Sequence, residues 1–407
     1  MGVAVPEIAL TILDYVVGGV RRLPYYSTRP LELANTLSRH WLRWREAERG
    51  ETADCAFLLS GGLGDKIVAA RFVRDLIEHC GPLTFDTYGA KPGATEFAFD
   101  GIEGCRDCLP HEDFARSRRQ YLAVFDVTDF VWMRSLSPLF AADARQRELV
   151  ANLRTIGRAI EAFTHPIKNF ANMVSNHPHL DNLLAQTSVA KGYKRHNFCH
   201  ALSGIEYGGH SLDLPLKDDV LRRFGLADRP YITIADGYDR EFHSLDEGNP
   251  RSTKSYPHYD GLVANLKRLI PDLYVVQVGK GAGQLIAGTD KLLVDKTSLA
   301  ELTSVLAASR FHIDNEGGLV HLATTLGTPC CVVFGPTNLA YFGYDENINI
   351  RPAMCGNCYW ITDDWMTRCP RGDDIPVCTR ETSPDTVCKL IAPTIERAVR
   401  APQTSMA

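Results

Sequence analysis

Three glycines and one acid crowd the turn "SGGLGD" (residues 60–65), which follows the apolar run "CAFLL" and precedes an amphipathic helical pattern. Gly61, Gly62 and Gly64 allow backbone conformations that other residues avoid, and they let a ligand approach the chain closely. A helix that begins here offers free N–H groups and a partial positive charge to an anion. Asp65 has two compatible interpretations: it caps the helix, or its carboxylate serves acid–base chemistry.

The glycine spacing of this turn excludes two common phosphate-binding motifs. It has neither the G-x-x-x-x-G-K-[ST] spacing of a P-loop nor the G-x-G-x-x-G spacing of a dinucleotide fold. Phosphate binding by backbone amides alone therefore does not explain an acidic residue in the first turn of this helix.

A lysine lies in a second polar stretch, "STKSYPHYDGLVANL" (252–266), just before an aromatic–proline pair and a helical pattern. Lys254 is placed to reach the phosphates of a ligand at the start of that helix. Taken alone, a solvated surface lysine is the commoner case. The phosphate interpretation therefore depends on the other motifs.

The third stretch, "HIDNEGGLVHLATTLGTPCCVVFGPT" (312–337), combines an acid, two glycines and a histidine at the junction of a strand and a helix. A helix N-terminus at Gly317 and Gly318 is a site for an anion. Glu316 beside it repels a bare phosphate but accepts hydrogen bonds from sugar hydroxyls. An anion site with a carboxylate beside it fits a nucleotide-sugar better than a nucleotide alone. His321, one turn into the helix, is by itself more often a packed structural histidine.

Four cysteines share the irregular segment "CGNCYWITDDWMTRCPRGDDIPVCTR" near the end of the chain. Four thiolates in one loop can close a tetrahedral metal site, and the C-x2-C spacing favours iron or zinc over unpaired thiols or two disulfides. A closed site of this kind is structural. The candidate ligands are Cys355, Cys358, Cys369 and Cys378. A second C-x2-C, at Cys105 and Cys108, shows no partner pair and is interpreted as structural.

Short β-rich runs alternate with helical patterns from residue 54 onward, which is the pattern of parallel sheets covered by helices. At 407 residues the chain is long enough for two domains. The predicted division is an N-terminal helical extension at 1–50, a first Rossmann-like domain at 51–226 and a second at 227–407. The predicted strands are 55–59, 83–88 and 121–127, then 231–236, 273–279, 291–295, 310–314 and 330–335. The predicted helices are 65–79, 144–162 and 168–186, then 257–269, 298–308 and 317–326.

The composition is that of a globular protein, with 45% hydrophobic and 23% charged residues. A formal net charge of −5 argues against a nucleic-acid partner. The first 23 residues lack the basic start of a targeting signal, so a cytoplasmic location with reduced thiols is expected. The basic–aromatic stretch at 39–49 keeps a peripheral contact with the inner face of the membrane open.

The three glycine-, lysine- and histidine-bearing stretches together resemble glycosyltransferase family 9, the ADP-heptose heptosyltransferases, over about residues 54–395. The block at 312–337 is the most specific part of that resemblance. The resemblance implies a GT-B fold, with two Rossmann-like domains facing a central cleft, the acceptor on the first and the donor on the second. It also implies inverting transfer with no catalytic metal.

The resemblance assigns a role to single residues of this chain. Asp65 corresponds to the family's catalytic aspartate, and Lys254 to its phosphate-binding lysine before an aromatic–proline pair. Glu316 stands where the family usually has aspartate, before Gly-x-x-His. The remaining substrate-binding candidates are Gly61, Gly62, Gly64, Gly317, Gly318 and His321.

The cysteine segment resembles that of the bacterial autotransporter heptosyltransferases, in which a comparable cluster holds iron and the protein forms large rings. The first 50 residues depart from that branch, because they show no alternating strand pattern like its N-terminal barrel. A homo-oligomer and a protein acceptor are therefore options rather than implications for this chain.

Three functions remain open at this stage. The first is transfer of a heptose or related sugar, with ADP-heptose as the expected donor, to a lipopolysaccharide or capsule sugar or to a protein serine. The second is a catalytically silent nucleotide-sugar-binding or assembly subunit, against which the joint presence of Asp65 and Lys254 argues. The third is a sugar-nucleotide epimerase of the same architecture.

Overall fold

The structure is a computed structural model that describes residues 52–401 except residue 118 and the ranges 168–180, 237–251 and 282–283. The predicted N-terminal helical extension therefore lies outside the described residues. The first part of the helix predicted at 168–186 does so as well.

The first sheet has five strands in the order β3-β2-β1-β4-β5. Its centre is β1, a buried and mainly apolar strand that pairs in parallel with β2 on one side and β4 on the other. Continuous burial of both faces explains why β1 shows no alternation of apolar and polar residues. The strands are β1 (Thr52–Leu59), β2 (Phe85–Gly89), β3 (Cys105–Pro110), β4 (Gln120–Val127) and β5 (Val131–Leu136).

The expectation of a purely parallel first sheet was wrong at one edge. Strand β5 runs antiparallel to β4, because only Thr128–Phe130 separates the two strands. A connection this short makes a hairpin, whereas a parallel crossover needs a dozen residues or more.

The second sheet has six strands in the order β11-β10-β9-β6-β7-β8, and its pairings are all parallel. The expected GT-B architecture of two parallel-type α/β sheets is confirmed for the described residues. The predicted boundary at residue 226 stays a prediction. The strands are β6 (Ile232–Ile234), β7 (Val275–Gln277), β8 (Lys291–Leu292), β9 (His312–Asn315), β10 (Cys330–Val333) and β11 (Ile348–Ile350).

Helices cover both sheets. Those of the first half are α1 (Leu63–Cys80), α2 (Pro92–Phe99), α3 (Ala144–Thr164), α4 (Asp181–Ala190), α5 (Arg195–Ser203) and α6 (Val220–Arg223). Those of the second half are α7 (Tyr259–Leu269), α8 (Leu299–Ala308), α9 (Gly318–Thr325), α10 (Leu339–Phe342), α11 (Val377–Arg380) and α12 (Pro384–Arg400).

Each sheet has its own apolar core, and a third cluster joins the two halves. Phe57 and Phe125 stack in the first core, and Ile234 and Ile313 lie in the second. In the third cluster Ile67 of α1 packs in one group with residues of the second half such as Leu322 of α9. This packing brings the N-terminal ends of α1 and α9 together. No helix within the described ranges is both long and apolar enough to cross a bilayer.

Candidate functional site

The turn that follows β1 holds Asp65 in a fixed position at the third residue of α1. Gly62, not Asp65, is the N-cap, and its N–H donates to Asp65 Oδ2 at 2.9 Å. The interpretation of Asp65 as the N-cap residue was therefore wrong by three positions, although its carboxylate does satisfy a free N–H of the first turn. Gly61 has φ +79°, and a Cβ there would lie 2.1 Å from Asp65 Oδ2, so glycine is required beside the acid.

A buried arginine holds the other oxygen of Asp65. Arg195 of α5 is 2% exposed and donates to Asp65 Oδ1 at 2.8 Å, while its Nε lies 3.0 Å from Asp129 Oδ1. Burial raises the pKa of Asp65, but the Arg195 guanidinium and the Gly62 N–H outweigh it, so the pKa is lowered from its ordinary value. The carboxylate is 37% exposed and ionised at neutral pH, so it can meet a ligand as an acceptor of hydrogen bonds.

The two predicted glycine-rich turns meet across the halves of the molecule. A Cβ on Gly64 would lie 2.5 Å from His321 Cδ2, and a Cβ on Gly318 would lie 3.3 Å from the backbone nitrogen of Gly64. Glycine at 64 and 318 therefore permits the N-terminal turns of α1 and α9 to approach each other. Their free N–H groups and partial positive charges converge on one place.

His321 is buried and neutral where the N-terminal turns of α1 and α9 meet. Burial, followed by the nearby Arg71 guanidinium, lowers the pKa of His321 to about 3, and the charges of Asp65 and Lys254 also act on it. The acid of the first half and the lysine of the second are therefore both within electrostatic reach of one imidazole. The sequence interpretation of His321 as a packed structural residue and its assigned place in the site are both compatible with this geometry.

Lys254 forms an ion pair with Glu316, with its Nζ 2.7 Å from Glu316 Oε2. The two side chains are 13% and 9% exposed, so neither is the solvated surface residue that an isolated motif suggests. Gly317, the N-cap of α9, is extended, and a Cβ there would meet only Asn315 O at 4.0 Å. The backbone therefore leaves open space on the Cβ side of Gly317, next in the chain to the carboxylate that pairs with Lys254.

The cysteine segment packs against the end of β10. The N–H groups of Cys358 and Tyr359 both donate to Pro336 O, at 2.7 and 3.0 Å. Cys355 and Asn357 have φ of +35° and +53°, a left-handed backbone that L residues rarely adopt. The knuckle therefore has a defined, tightly curved shape, which places strain on residues that are not glycine.

The four thiols of this segment act on one another electrostatically. Burial, and then the charges of Cys355, Cys358 and Cys369, raise the pKa of Cys378 to about 12. All four are free thiols, and among the described residues no group of three or more His, Cys, Asp and Glu side chains is arranged to hold a metal ion. The metal site at these four cysteines therefore stays a prediction.

Sequence reasoning missed three buried cations of the site: Arg195, Lys66 and Arg71. Lys66 follows Asp65 directly, donates to Ser60 O at 3.0 Å, and has its pKa lowered by burial to about 8. A basic residue on the core face of an apolar helix is the signal that could have marked Lys66 and Arg71. Arg195 carries no such signal, because its partners Asp65 and Asp129 come from distant parts of the chain.

Gly64→Ala is expected to disrupt the contact of α1 with α9, because the added methyl group overlaps the His321 ring. We expect a loss of about 1–3 kcal/mol in the free energy of unfolding, typical of overpacking, together with weakened ligand binding at the site. Thermal unfolding and nucleoside-diphosphate titration measure the two effects. Gly93→Ala in α2 is the matched control, since a Cβ there meets nothing within 4 Å; equal behaviour of the two variants would contradict the proposed contact.

Comparison with known families identifies the region that contains Glu316, Gly317, Gly318 and His321. Residues 278–362 match the model of glycosyltransferase family 9 (heptosyltransferase). The chain is also 29% identical over 133 residues to lipopolysaccharide heptosyltransferase 1 of Pseudomonas aeruginosa. The aligned region makes up 30% of this chain, and it spans only 36% of the length of that curated relative.

Solved structures share the fold. The iron-containing dodecameric glycosyltransferase TibC of enterotoxigenic E. coli matches with a TM-score of 0.55 and 14% identity, over 88% of this chain and 82% of TibC. A family 9 glycosyl transferase of Veillonella parvula matches with a TM-score of 0.53 and 12% identity, over 85% of this chain and 98% of its own. Residues 278–362 thus match glycosyltransferase family 9 (heptosyltransferase), the chain shares the fold of these solved structures, and the resemblance indicated by the sequence block at 312–337 is confirmed.

Proposed function

We propose that this protein is an inverting glycosyltransferase that transfers a heptose or related sugar from a nucleotide-sugar, with ADP-heptose the expected donor, to a hydroxyl acceptor. One observation carries the proposal: the ionised carboxylate of Asp65 and the buried Lys254–Glu316 pair are both within electrostatic reach of His321, where the first turns of α1 and α9 meet. Base and cation thus come from different halves of the chain, which suits a displacement in which separate domains bind acceptor and donor. A P. aeruginosa relative is named a lipopolysaccharide heptosyltransferase, which favours this donor class.

Asp65 is the proposed general base. The acceptor hydroxyl must lose its proton as it attacks the anomeric carbon, and a carboxylate within hydrogen-bond reach accepts it. The Gly62 N–H and Arg195 hold one lone-pair direction of each oxygen, so the carboxylate is fixed without being fully occupied. The lowered pKa weakens Asp65 as a base but keeps it ionised over the whole neutral range.

Lys254 and the amides of Gly317 and Gly318 are proposed to stabilise the leaving diphosphate. Negative charge grows on that group as the glycosidic bond breaks, and preorganised donors in a water-poor site stabilise it strongly. Glu316 already balances the charge of Lys254 in the absence of donor. We propose that Glu316 also accepts hydrogen bonds from donor hydroxyls, so that Lys254 is held between carboxylate and diphosphate. No metal ion is assigned a part in the displacement.

Incubation of the purified full chain with ADP-, GDP- and UDP-sugars tests the activity, with mass spectrometry of donor, nucleotide and product. Release of nucleoside diphosphate with sugar gain on an added acceptor of lipopolysaccharide, capsule-glycan or protein type supports the proposal. Binding without turnover indicates the silent nucleotide-sugar-binding or assembly subunit. A product with the same mass as the donor indicates the epimerase.

Lys254→Met is expected to weaken nucleoside-diphosphate binding about 10- to 100-fold, as loss of a charged hydrogen bond worth about 1.5–3 kcal/mol implies. Isothermal titration with ADP measures the change. Lys267→Met is the matched control, because Lys267 is also ion-paired, with Asp290 at 2.7 Å, but lies in the last turn of α7. Equal ADP affinity in the two variants would argue against a diphosphate role for Lys254.

We further propose that Cys355, Cys358, Cys369 and Cys378 hold one structural ion, iron or zinc. The C-x2-C spacing of Cys355 and Cys358 and the constrained backbone of the knuckle support the proposal. Bound to four thiolates, such an ion cross-links the loop and leaves no open position for substrate.

TibC is described as iron-containing and dodecameric. A homo-oligomer of this chain is therefore a related proposal, which light scattering tests.

A further inference from the structure

A chain of hydrogen bonds links Arg71 of α1 to His321 of α9 through one hydroxyl. Arg71 Nη1 donates to Tyr344 Oη at 2.8 Å, and Tyr344 Oη lies 2.6 Å from His321 Nδ1. The same guanidinium donates through Nη2 to His321 O at 3.3 Å and to Thr325 Oγ1 at 2.6 Å. One arginine of the first half therefore contacts both the side-chain partner and the backbone of a histidine in the second half.

The donor and acceptor of each hydrogen bond in this series follow from the chemistry of Arg71. Arginine has no acceptor, so Tyr344 Oη must accept from Arg71 and is left to donate its own proton. His321 Nδ1 is the neighbour placed to accept that proton. The opposite arrangement, with a proton on Nδ1, would leave the buried tyrosine proton without its partner, which is costly. In a neutral ring, the remaining proton of His321 then lies on Nε2.

Both groups keep the protonation state that this arrangement needs. Burial raises the pKa of Tyr344, so the phenol retains its proton. Burial and the Arg71 charge lower the pKa of His321 to about 3, so the imidazole is neutral. His321 is thus a donor of a hydrogen bond through Nε2, and it is neither an acid nor a cation at neutral pH.

Two histidines that precede the second sheet in the sequence pack against the ring of Tyr344. His196 of α5 stacks on Tyr344 with ring centroids 4.9 Å apart and planes at 12°, and His210 meets it edge-on at 4.9 Å. Tyr344 follows α10, so two histidines of the first half fix a side chain of the second. The hydroxyl that reaches His321 therefore has little freedom to move.

The ring edge that carries Nε2 faces the start of α1. His321 Cδ2 and Nε2 lie 2.5 and 3.2 Å from the place that a Cβ on Gly64 would occupy. Gly64 is the residue directly before Asp65, so Nε2 lies beside the turn of α1 that carries the proposed base.

We propose that Arg71 and Tyr344 are positioning residues, which lock His321 in the Nε2–H tautomer and aim that N–H at an anionic oxygen of the leaving diphosphate. The inference rests on the proposed function for the identity of the ligand alone. The tautomer and its cause are properties of the unliganded chain.

Nitrogen-15 NMR of the wild-type chain, with His321 assigned from a His321→Gln variant, tests the tautomer directly. The expected spectrum shows a neutral ring with its proton on Nε2 and an unprotonated Nδ1. A proton on Nδ1, or an imidazolium at neutral pH, overturns the inference. This result does not depend on any transfer activity, so it remains interpretable if the proposed function fails.

Amide substitutions test which ring nitrogen acts on the ligand. Glutamine places its N–H₂ near the position of Nε2, whereas asparagine places it near Nδ1. His321→Gln is therefore expected to retain more transfer activity and tighter ADP binding than His321→Asn. The reverse order overturns the assignment of Nε2 as the donor.

A double-mutant cycle tests whether Tyr344 acts through His321. Tyr344→Phe keeps the ring stacking but loses the hydroxyl, and is expected to lower kcat about 3- to 10-fold, as one net hydrogen bond implies. In a His321→Gln background it should lower kcat no further, because Nδ1 is absent. Equal losses in both backgrounds indicate a merely structural role. Tyr231→Phe is the control: its buried hydroxyl donates to Val305 O, and its loss should leave kcat unchanged.

Discussion

Asp65→Asn is expected to lower kcat for glycosyl transfer by about 10²–10⁴, the usual effect of removing a general base, with donor affinity almost unchanged. Asparagine keeps one oxygen, which can still accept from the Gly62 N–H and so preserve the first turn of α1. It cannot accept the acceptor proton at neutral pH. Its amide also faces the Arg195 guanidinium, so a moderate loss of stability should accompany the loss of rate.

Single-turnover kinetics and ADP titration separate the two effects, with Asp65→Ala as the more severe variant. Asp129→Asn is the matched control, because it also removes a carboxylate from Arg195 while leaving Asp65 in place. We expect it to lower thermal stability with a far smaller effect on kcat. Near-normal turnover by the Asp65→Asn variant would contradict the assignment of Asp65 as the base.

The main strands were predictable because burial dictates their sequence. Strands such as β1 and β10 are buried on both faces, so they contain continuous apolar runs, residues 55–59 in β1 and 330–333 in β10. The strands that sequence reasoning missed lie at sheet edges: β3, β5 and β11. Strand β3 carries Cys105, Arg106 and Asp107 in a half-buried run, which has neither alternation nor a continuous apolar signal. Edge strands are therefore identified by pairing more than by composition.

The motifs that form the candidate site could be predicted from the sequence, whereas the contacts between their side chains and the rest of the protein could not. The turn at 61–65 and the block at 312–321 carry glycine, acid and histidine in patterns that follow from local backbone needs. The Asp65–Arg195 and Lys254–Glu316 pairs depend on tertiary packing, since each joins residues far apart in the sequence. Charge alone did not indicate them, because most lysines and arginines of a chain are solvated.

Replacement of two cysteines of the terminal loop, as in Cys355→Ser with Cys378→Ser, is expected to remove one metal ion per chain and to destabilise the protein. Binding that favours only the folded state contributes about 4 kcal/mol when the free ion is at about 1,000 times its Kd. At about 2–4 °C per kcal/mol for domains of this size, the Tm should fall by about 8–16 °C. Elemental analysis of protein purified without a metal-affinity tag and thermal unfolding measure the two changes.

Cys388→Ala is the control for the loss of a buried thiol, because Cys388 of α12 packs in the apolar core of the second sheet, outside the loop. It should lose some stability and keep its metal. The physical reason for a metal lies in the loop itself: Cys355 and Asn357 hold a left-handed backbone, which is strained for residues with a Cβ. A cation bound to four thiolates offsets both that strain and the mutual repulsion of the sulfurs. Metal content far below one ion per chain, with the wild-type loop intact, would show that packing against Pro336 and β10 is sufficient.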